Sequence, residues 1–389
     1  MGNAKTIGLV SGRYIFHNPY REFVFFDKLK ARGDKCRVFL PNVDTYPKGY
    51  TNEFLKDKVV QNYSPTIFDN TFDLIKKSQG IEYFLIGSDF KYSSLVIILR
   101  LLGKTIISYD SAGGMDHKNN FAQISCVKSD FYKRFMKKLG RIKISQKTVR
   151  ITGSIIFEDM KLPILSKKDF CEKYKCKDKV IVYFPKSIFT FKKKLHTWVK
   201  GDLKAVEEIH QRHINLSKNL CEKIRNLGFN PLIKLHPGLL NSPFLDQELE
   251  FWDSLGVSVI EDFDAPSMLK HIDLGVSFKS QSALDVNYFR KPFMYLKEGN
   301  SLPINLPHAE VCSLPLGPSN EWGSPDPFVN HAMPSWVGGL ADLNSFESEF
   351  LRLLQQKFPV EHYDSFIEHF WFSDDGRASD RILSYLDKF

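Results

Sequence analysis

The chain has 389 residues, too many for one ordinary hydrophobic core and a natural length for two α/β domains, and its 43% apolar content is enough to fill both. Lys and Arg outnumber Asp and Glu by 54 to 45, for a formal charge of +9, so the partners to expect are anionic: nucleotides, acidic glycans, phospholipid headgroups or nucleic acid. The six cysteines are scattered with no CxxC pair, which speaks against a zinc site or a disulfide framework. No apolar run reaches the roughly 18 residues of a membrane span, so a cytoplasmic protein is expected.

Strand and helix signals alternate from the start. Ile7 to Val10 reads as a strand, Tyr20 to Ala31 as a helix, Cys36 to Leu40 as a strand and Phe68 to Ser78 as a helix. Tyr83 to Ile86 follows as a strand, Leu95 to Leu102 lies in a buried helix, and Thr105 to Tyr109 is a further strand. Such alternation builds βαβ units on a parallel sheet, with ligands at the carboxyl ends of the strands. The loop after the first strand brings a glycine and two candidate substrate contacts, Arg13 and His17, to that edge. Asp110 follows the last of these strands, just before Gly113 and Gly114, where a general base would stand, and Asp116 follows in the same loop. A turn-capping aspartate explains Asp110 equally well.

Residues 130–143 place Phe131, Phe135 and Leu139 four apart among six cations, the pattern of a basic helix lying on an anionic membrane or of a core-facing helix with snorkelling lysines. A Lys- and Ser-rich stretch, 161–179, then links to a second run of alternating elements that opens with the strand Val180 to Tyr183. Its end offers Lys186 and Ser187 as phosphate contacts. Asp202 to Leu227 is a long helix on which Glu207, His210 and His213 have the spacing of metal ligands, although a solvated helix face is the commoner cause of such mixed charge. The strand Pro231 to Leu235 ends in His236 and Pro237. The strand Leu274 to Phe278 runs into Ser280 and Ser282 and then into a helix, an arrangement suited to an anion. Leu340 to Gln356 reads as helix, and the last strand, Pro292 to Leu296, leads to Glu298.

Taken in order, Thr152-Gly153-Ser154-Ile-Ile-Phe-Glu158, Lys234-Leu-His236-Pro237, Ser280 and Ser282 with Ala283-Leu-Asp285, Arg290-Lys291-Pro292 and Asp375-Gly376-Arg377-Ala378-Ser379 resemble the motifs of GT-B glycosyltransferases of bacterial surface-polysaccharide synthesis. The similar branch includes the CMP-sialic acid and Kdo transferases and the CDP-glycerol glycerophosphotransferases. The resemblance covers the second half well and the first half in outline. It implies an α/β fold of GT-B type: two Rossmann-like domains facing a central cleft, with a C-terminal helix crossing back to the first. The expected boundaries are 1–160 for the acceptor side, 161–360 for the donor side and 361–389 for the crossing helix.

The resemblance further implies that His236, Ser280 and Ser282 hold the nucleotide phosphate and that Asp110 acts as the base. The Asp-Ser-Ala-Gly order at residues 110–113, and Glu158 where that branch has Asp, depart from its pattern. Glu298 is expected at the ribose hydroxyls, the Glu261 to Asp264 turn with Asp262 at the nucleobase, and Glu158 on the acceptor side. The expected function is transfer of a sugar, most simply a CMP-linked nonulosonic acid, to a growing capsule or lipopolysaccharide glycan, with an anionic glycan or lipid-linked acceptor and with neither metal nor cofactor. Peripheral membrane contact through 130–143 goes with it. The readings that compete are a CDP-glycerol-type polyol-phosphate transferase, a UDP-GlcNAc 2-epimerase-like enzyme and a non-catalytic binder of acidic glycan. No RNP-like strand or recognition helix points to nucleic acid.

Overall fold

The computed structural model describes residues 4–10, 23–42, 61–87, 93–109, 121–130, 132–133, 149–155, 158, 165–189, 192, 203–236, 239, 242–261, 264–278, 280, 282–296, 338–341, 344–356 and 360–389. The chain separates into two compact units, Met1–Leu162 together with His362–Phe389, and Pro163–Glu361.

In the first unit, β1 (Thr6–Val10), α1 (Phe23–Ala31), β2 (Lys35–Pro41), β3 (Thr66–Phe68), α2 (Thr71–Lys77), β4 (Tyr83–Gly87), α3 (Ser93–Leu101), β5 (Thr105–Tyr109), β6 (Ile124–Val127) and β7 (Val149–Ile151) form a parallel sheet in the order β3-β2-β1-β4-β5-β6-β7. Central strands such as Tyr83–Gly87 are buried almost end to end, as strands covered on both faces must be. That is why they read as short unbroken apolar runs. Three strands escaped the sequence reading. Thr66–Phe68 is a three-residue edge strand whose phenylalanine had been assigned to the following helix, and that helix begins at Thr71 because the Asn70 side chain accepts from the Phe72 and Asp73 amides. Ile124–Val127 and Val149–Ile151 are also short, at four and three residues. Helix α3 was expected to be buried, yet its last residue Leu101, and Leu102 after it, are exposed.

In the second unit, α4 (Lys167–Tyr174), β8 (Ile181–Tyr183), α5 (Leu203–Asn226), β9 (Pro231–Ile233), α6 (Leu245–Ser254), β10 (Ser258–Val259), α7 (Ala265–His271), β11 (Leu274–Ser277), α8 (Ser282–Tyr288), β12 (Phe293–Leu296), β13 (Gly338–Ala341) and α9 (Phe346–Gln355) follow. Their sheet is also parallel, in the order β10-β9-β8-β11-β12-β13. Leu340 belongs to the edge strand β13 rather than to the helix expected there. Gly275 sits where β11 crosses the ring of Phe293. A Cβ there would come within 2.4 Å of that ring, so only glycine lets β11 pair with β12 in this register. Trp252 of α6 stands edge-on to Tyr183 of β8 at 5.9 Å and is fully buried, anchoring one face of the sheet. The two units, each built on a parallel sheet, together give the two-domain α/β architecture expected of a GT-B fold.

The segment after 361 returns to the first unit. It holds α10 (Val360–Phe370, of which residues from His362 on belong here), α11 (Ala378–Leu383) and a closing 3-10 turn, Ser384–Lys388. Trp371 lies 4.1 Å from the Lys128 ammonium, with Tyr132 on it at 4.0 Å, so a nearly buried cation is held by two aromatic rings.

Candidate functional site

The strand order of the second unit reverses between β8 and β11, and in open parallel sheets the crevice beyond the carboxyl ends at such a reversal is where ligands bind. The turn that leaves β8 stands at that point and is built from three sides. Phe184 donates its N–H to Val276 O at 2.9 Å and accepts the Ser277 hydroxyl at 2.7 Å, which fixes the turn to β11. His213 on α5 donates from Nε2 to the Lys186 carbonyl at 3.2 Å. Glu248 on α6 accepts the Ser187 hydroxyl and, at 2.7 Å, the Phe189 N–H on the same carboxylate oxygen. Glu248 and Trp252 are four residues apart, so one helix face delivers both the carboxylate and the aromatic anchor to the interior.

Of the residues expected at the phosphate, Lys186 and Ser187 are half-buried on this turn, His236 is exposed three residues beyond β9, and Ser280 and Ser282 follow β11. The topology therefore brings these five to one edge, on three strands centred on the reversal. Two roles change in detail. Ser187 commits its hydroxyl proton to Glu248, so in this arrangement it cannot also donate that proton to a phosphate. Ser280 accepts the Ser282 N–H at 3.2 Å, so one amide expected to be open for an anion is capped. Lys234, buried at the end of β9, donates its ammonium to Leu235 O at 3.0 Å and adds a cation that the sequence had shown only as part of a motif.

Pro237, Asp262, Glu298, Asp110, Arg13, His17 and Asp116 lie outside the described residues, as does most of 130–143. The two described carboxylates of the turn expected at the nucleobase are held by α4. Lys173 contacts Glu261 and Asp264 at 2.8 Å each, and the Tyr174 hydroxyl donates to Asp264 at 2.5 Å. Burial, reinforced by that hydrogen bond, raises the Tyr174 phenol well above its usual range.

Glu158, expected to face an acceptor, is occupied inside the first unit. Its buried carboxylate accepts the Ser379 N–H at 2.8 Å, the Ser379 hydroxyl at 2.5 Å and the Lys28 ammonium at 2.8 Å. Lys28 also pairs with Asp380 at 2.8 Å; burial pulls its pKa down, and the hydrogen bonds to Asp380 and Glu158 outweigh that and raise it. Beside it, Arg381 donates to Thr152 O at 2.8 Å and forks onto Asp375 at 2.8 and 2.9 Å, holding the Asp375 carboxyl down to about 2. Gly153 has φ +84°, and a Cβ there would meet Arg381 at 3.3 Å and Ala378 at 3.5 Å. The Thr152 to Glu158 and Asp375 to Ser379 motifs are thus two halves of one docking contact.

His210 and His213 are both buried, which corrects the expectation of a solvated helix face. His213 is used by the Lys186 carbonyl, and His210 has Glu207 at 3.9 Å, which itself pairs with Lys192 at 2.7 Å. Among the described residues no group of three His, Cys, Asp or Glu side chains is placed to hold a metal. Burial pushes His213 down to about 4, with Lys186 and His210 adding cationic repulsion against the hydrogen bond that favours it. Its folded pKa lies below the unfolded value of about 6.5, so the unfolded chain takes up the proton first. Stability from neutral His213 is complete above pH 6.5 and is lost as the pH falls toward 4, by roughly 3 kcal/mol in all. In His213→Gln, which keeps an N–H donor for Lys186 O, urea unfolding should lose a large part of its dependence on pH in this window, the remainder including buried His210, whose pKa burial also lowers. An unchanged dependence would assign the effect to another group.

The sequence matches no protein-family model and no curated protein. Solved structures do match along the whole chain. UDP-GlcNAc 2-epimerase from Methanocaldococcus jannaschii, in complex with UDP-GlcNAc and UDP, is 9% identical, with a TM-score of 0.57, 99% of this chain and 100% of that chain covered. UDP-GlcNAc 2-epimerase from Neisseria meningitidis bound to UDP-GlcNAc is 13% identical, with a TM-score of 0.55 and coverage of 99% and 100%. A glycosyltransferase from Rickettsia africae is 12% identical, with a TM-score of 0.53 and coverage of 100% and 99%. At these identities the likeness is one of fold.

Proposed function

We propose that the chain is a nucleotide-sugar-dependent glycosyltransferase whose second unit holds the donor at the β8/β11 reversal. The observation that carries this reading is that Lys186, on a turn braced by His213 and Glu248, shares one carboxyl edge of the sheet with His236, Ser280 and Ser282. In glycosyl transfer the departing phosphate accumulates charge, and hydroxyl, imidazole and ammonium groups are the donors that stabilise it. The proposed donor is a CMP-linked nonulosonic acid, following the motif order, with a capsule or lipopolysaccharide glycan as acceptor and Asp110 as the base that removes the acceptor proton. The donor is the only small molecule this reading requires.

Thermal shift with CMP, CDP, UDP and GDP tests the donor class. CMP or CDP should raise the melting temperature, and His236→Ala should abolish that rise while leaving the unliganded melting temperature within a degree or two, since His236 is exposed. A response to none of the four would overturn the reading.

The epimerase reading is favoured by the full-length likeness to two UDP-GlcNAc 2-epimerases. Incubation with UDP-GlcNAc alone separates the two, because an epimerase equilibrates the C2 centre without an acceptor and a transferase does not.

A further inference from the structure

Helix α3 is apolar over more of its surface than its own sheet covers. Leu95, Val96 and Leu99 of its Ser-Ser-Leu-Val-Ile-Ile-Leu-Arg-Leu sequence are buried, and a helix apolar all round is ordinarily enclosed all round. Here Leu101 is 81% exposed, Leu102 54% and Phe121 42%. Arg100 ties them together, donating to Phe121 O at 2.8 Å. Since α3 descends from β4 to β5 and Phe121 precedes β6, these residues protrude at the amino-terminal edge of the first sheet, away from the carboxyl edge at which such sheets hold ligands. Arg100 and Lys76 are exposed and Lys104 half-buried at the same edge, Lys76 on the last turn of α2, which packs on α3; among the described residues Glu82 is an acid that the topology sets beside them.

We propose that this edge seats the first unit on an anionic lipid bilayer, with Leu101, Leu102 and Phe121 entering the acyl boundary and Arg100, Lys104 and Lys76 meeting the headgroup phosphates. Protruding apolar side chains rimmed by cations are the pattern of interfacial attachment, and the charge of +9 adds attraction at longer range. A second copy of the chain fits the patch poorly. Two-fold pairing would bring the same cationic rim against itself. The attachment does not depend on the enzymatic reading, and it leaves the carboxyl edge of the sheet turned away from the lipid.

The full chain should co-sediment with vesicles of equal parts phosphatidylglycerol and phosphatidylcholine and much less with phosphatidylcholine alone. Replacing Leu101→Ser and Leu102→Ser together should lower the partition coefficient by about tenfold or more, and Lys76→Gln with Arg100→Gln should lower it and flatten its dependence on salt. All four side chains are substantially exposed, so melting temperatures and nucleotide-induced shifts should stay at wild-type values. Failure of the wild type to bind vesicles, binding indifferent to the leucines, or a solution dimer that Leu101→Ser dissociates would each overturn the proposal.

Discussion

Glu158→Ala is expected to release the C-terminal segment from the first unit, at a cost of about 3 kcal/mol. The carboxylate is 1% exposed and serves three donors, two from Ser379 and one from Lys28. Removing it leaves the Ser379 amide, which opens α11, without its anion, and leaves Lys28 with Asp380 alone. The change should appear in backbone hydrogen exchange, since 3 kcal/mol is about a hundredfold in the opening equilibrium. Amides of residues 149–155 and 378–386 should exchange faster by that factor, with the second unit unchanged. Glu158→Gln keeps an acceptor for Ser379 and should lose about half as much. A double-mutant cycle with Ser379→Ala gives the coupling directly, and additivity of the two changes would show that the contact does not hold the segment.

Glu248→Ala is the corresponding test in the second unit. It strands the Ser187 hydroxyl and the Phe189 amide, both bound to one carboxylate oxygen, and opens a void beside Trp252, for an expected loss of about 2–4 kcal/mol. Because the stranded groups belong to the turn at the β8/β11 reversal, nucleotide affinity should fall at least tenfold, about 1.4 kcal/mol. Glu248→Gln preserves an oxygen acceptor in nearly the same volume and should restore most of the affinity. Calorimetric titration of the two variants with whichever nucleotide raises the wild-type melting temperature distinguishes this from a plain loss of stability. If the alanine variant unfolds more easily yet binds as tightly, Glu248 braces the core and not the turn.

Much of the architecture was legible because parallel strands covered on both faces leave short apolar runs, such as Phe84-Leu-Ile86 and Leu274 to Val276, between helical periods. The strands that were missed leave no apolar run set apart from their neighbours: Thr66–Phe68 abuts the helix that follows it, and Ile124–Val127 is interrupted by Ser125. At the candidate site, the strand-end rule located Lys186, His236 and Ser280 because it depends on position alone. It could not find Glu248 or the role of His213. A buried carboxylate on a helix three segments away looks like any surface acid until the packing is known. One signal was available: Asp246 and Glu248 fall in the first turn of a stretch whose Leu245, Phe251 and Trp252 have helical spacing, so α6 could have been read as an amphipathic helix with Glu248 on the side of Trp252. Glu158, expected on the acceptor side from its motif, is held in the structure by Ser379 and Lys28, a contact that no spacing in the sequence announces.

The return of His362–Phe389 to the first unit also bears on the order in which the protein is assembled. Lys5, just before β1, donates its ammonium to the Leu386 carbonyl, and Arg32 reaches Asp387 at 2.5 Å, so residues synthesised far apart in time are partners. Domains commonly form in the order in which they are synthesised. Here the unit begun first is finished last: its sheet has to wait, without the anion of Glu158 engaged by Ser379, while the whole of Pro163–Glu361 is translated. A nascent chain stalled before residue 378 should therefore carry a folded second unit beside a first unit still open to proteolysis.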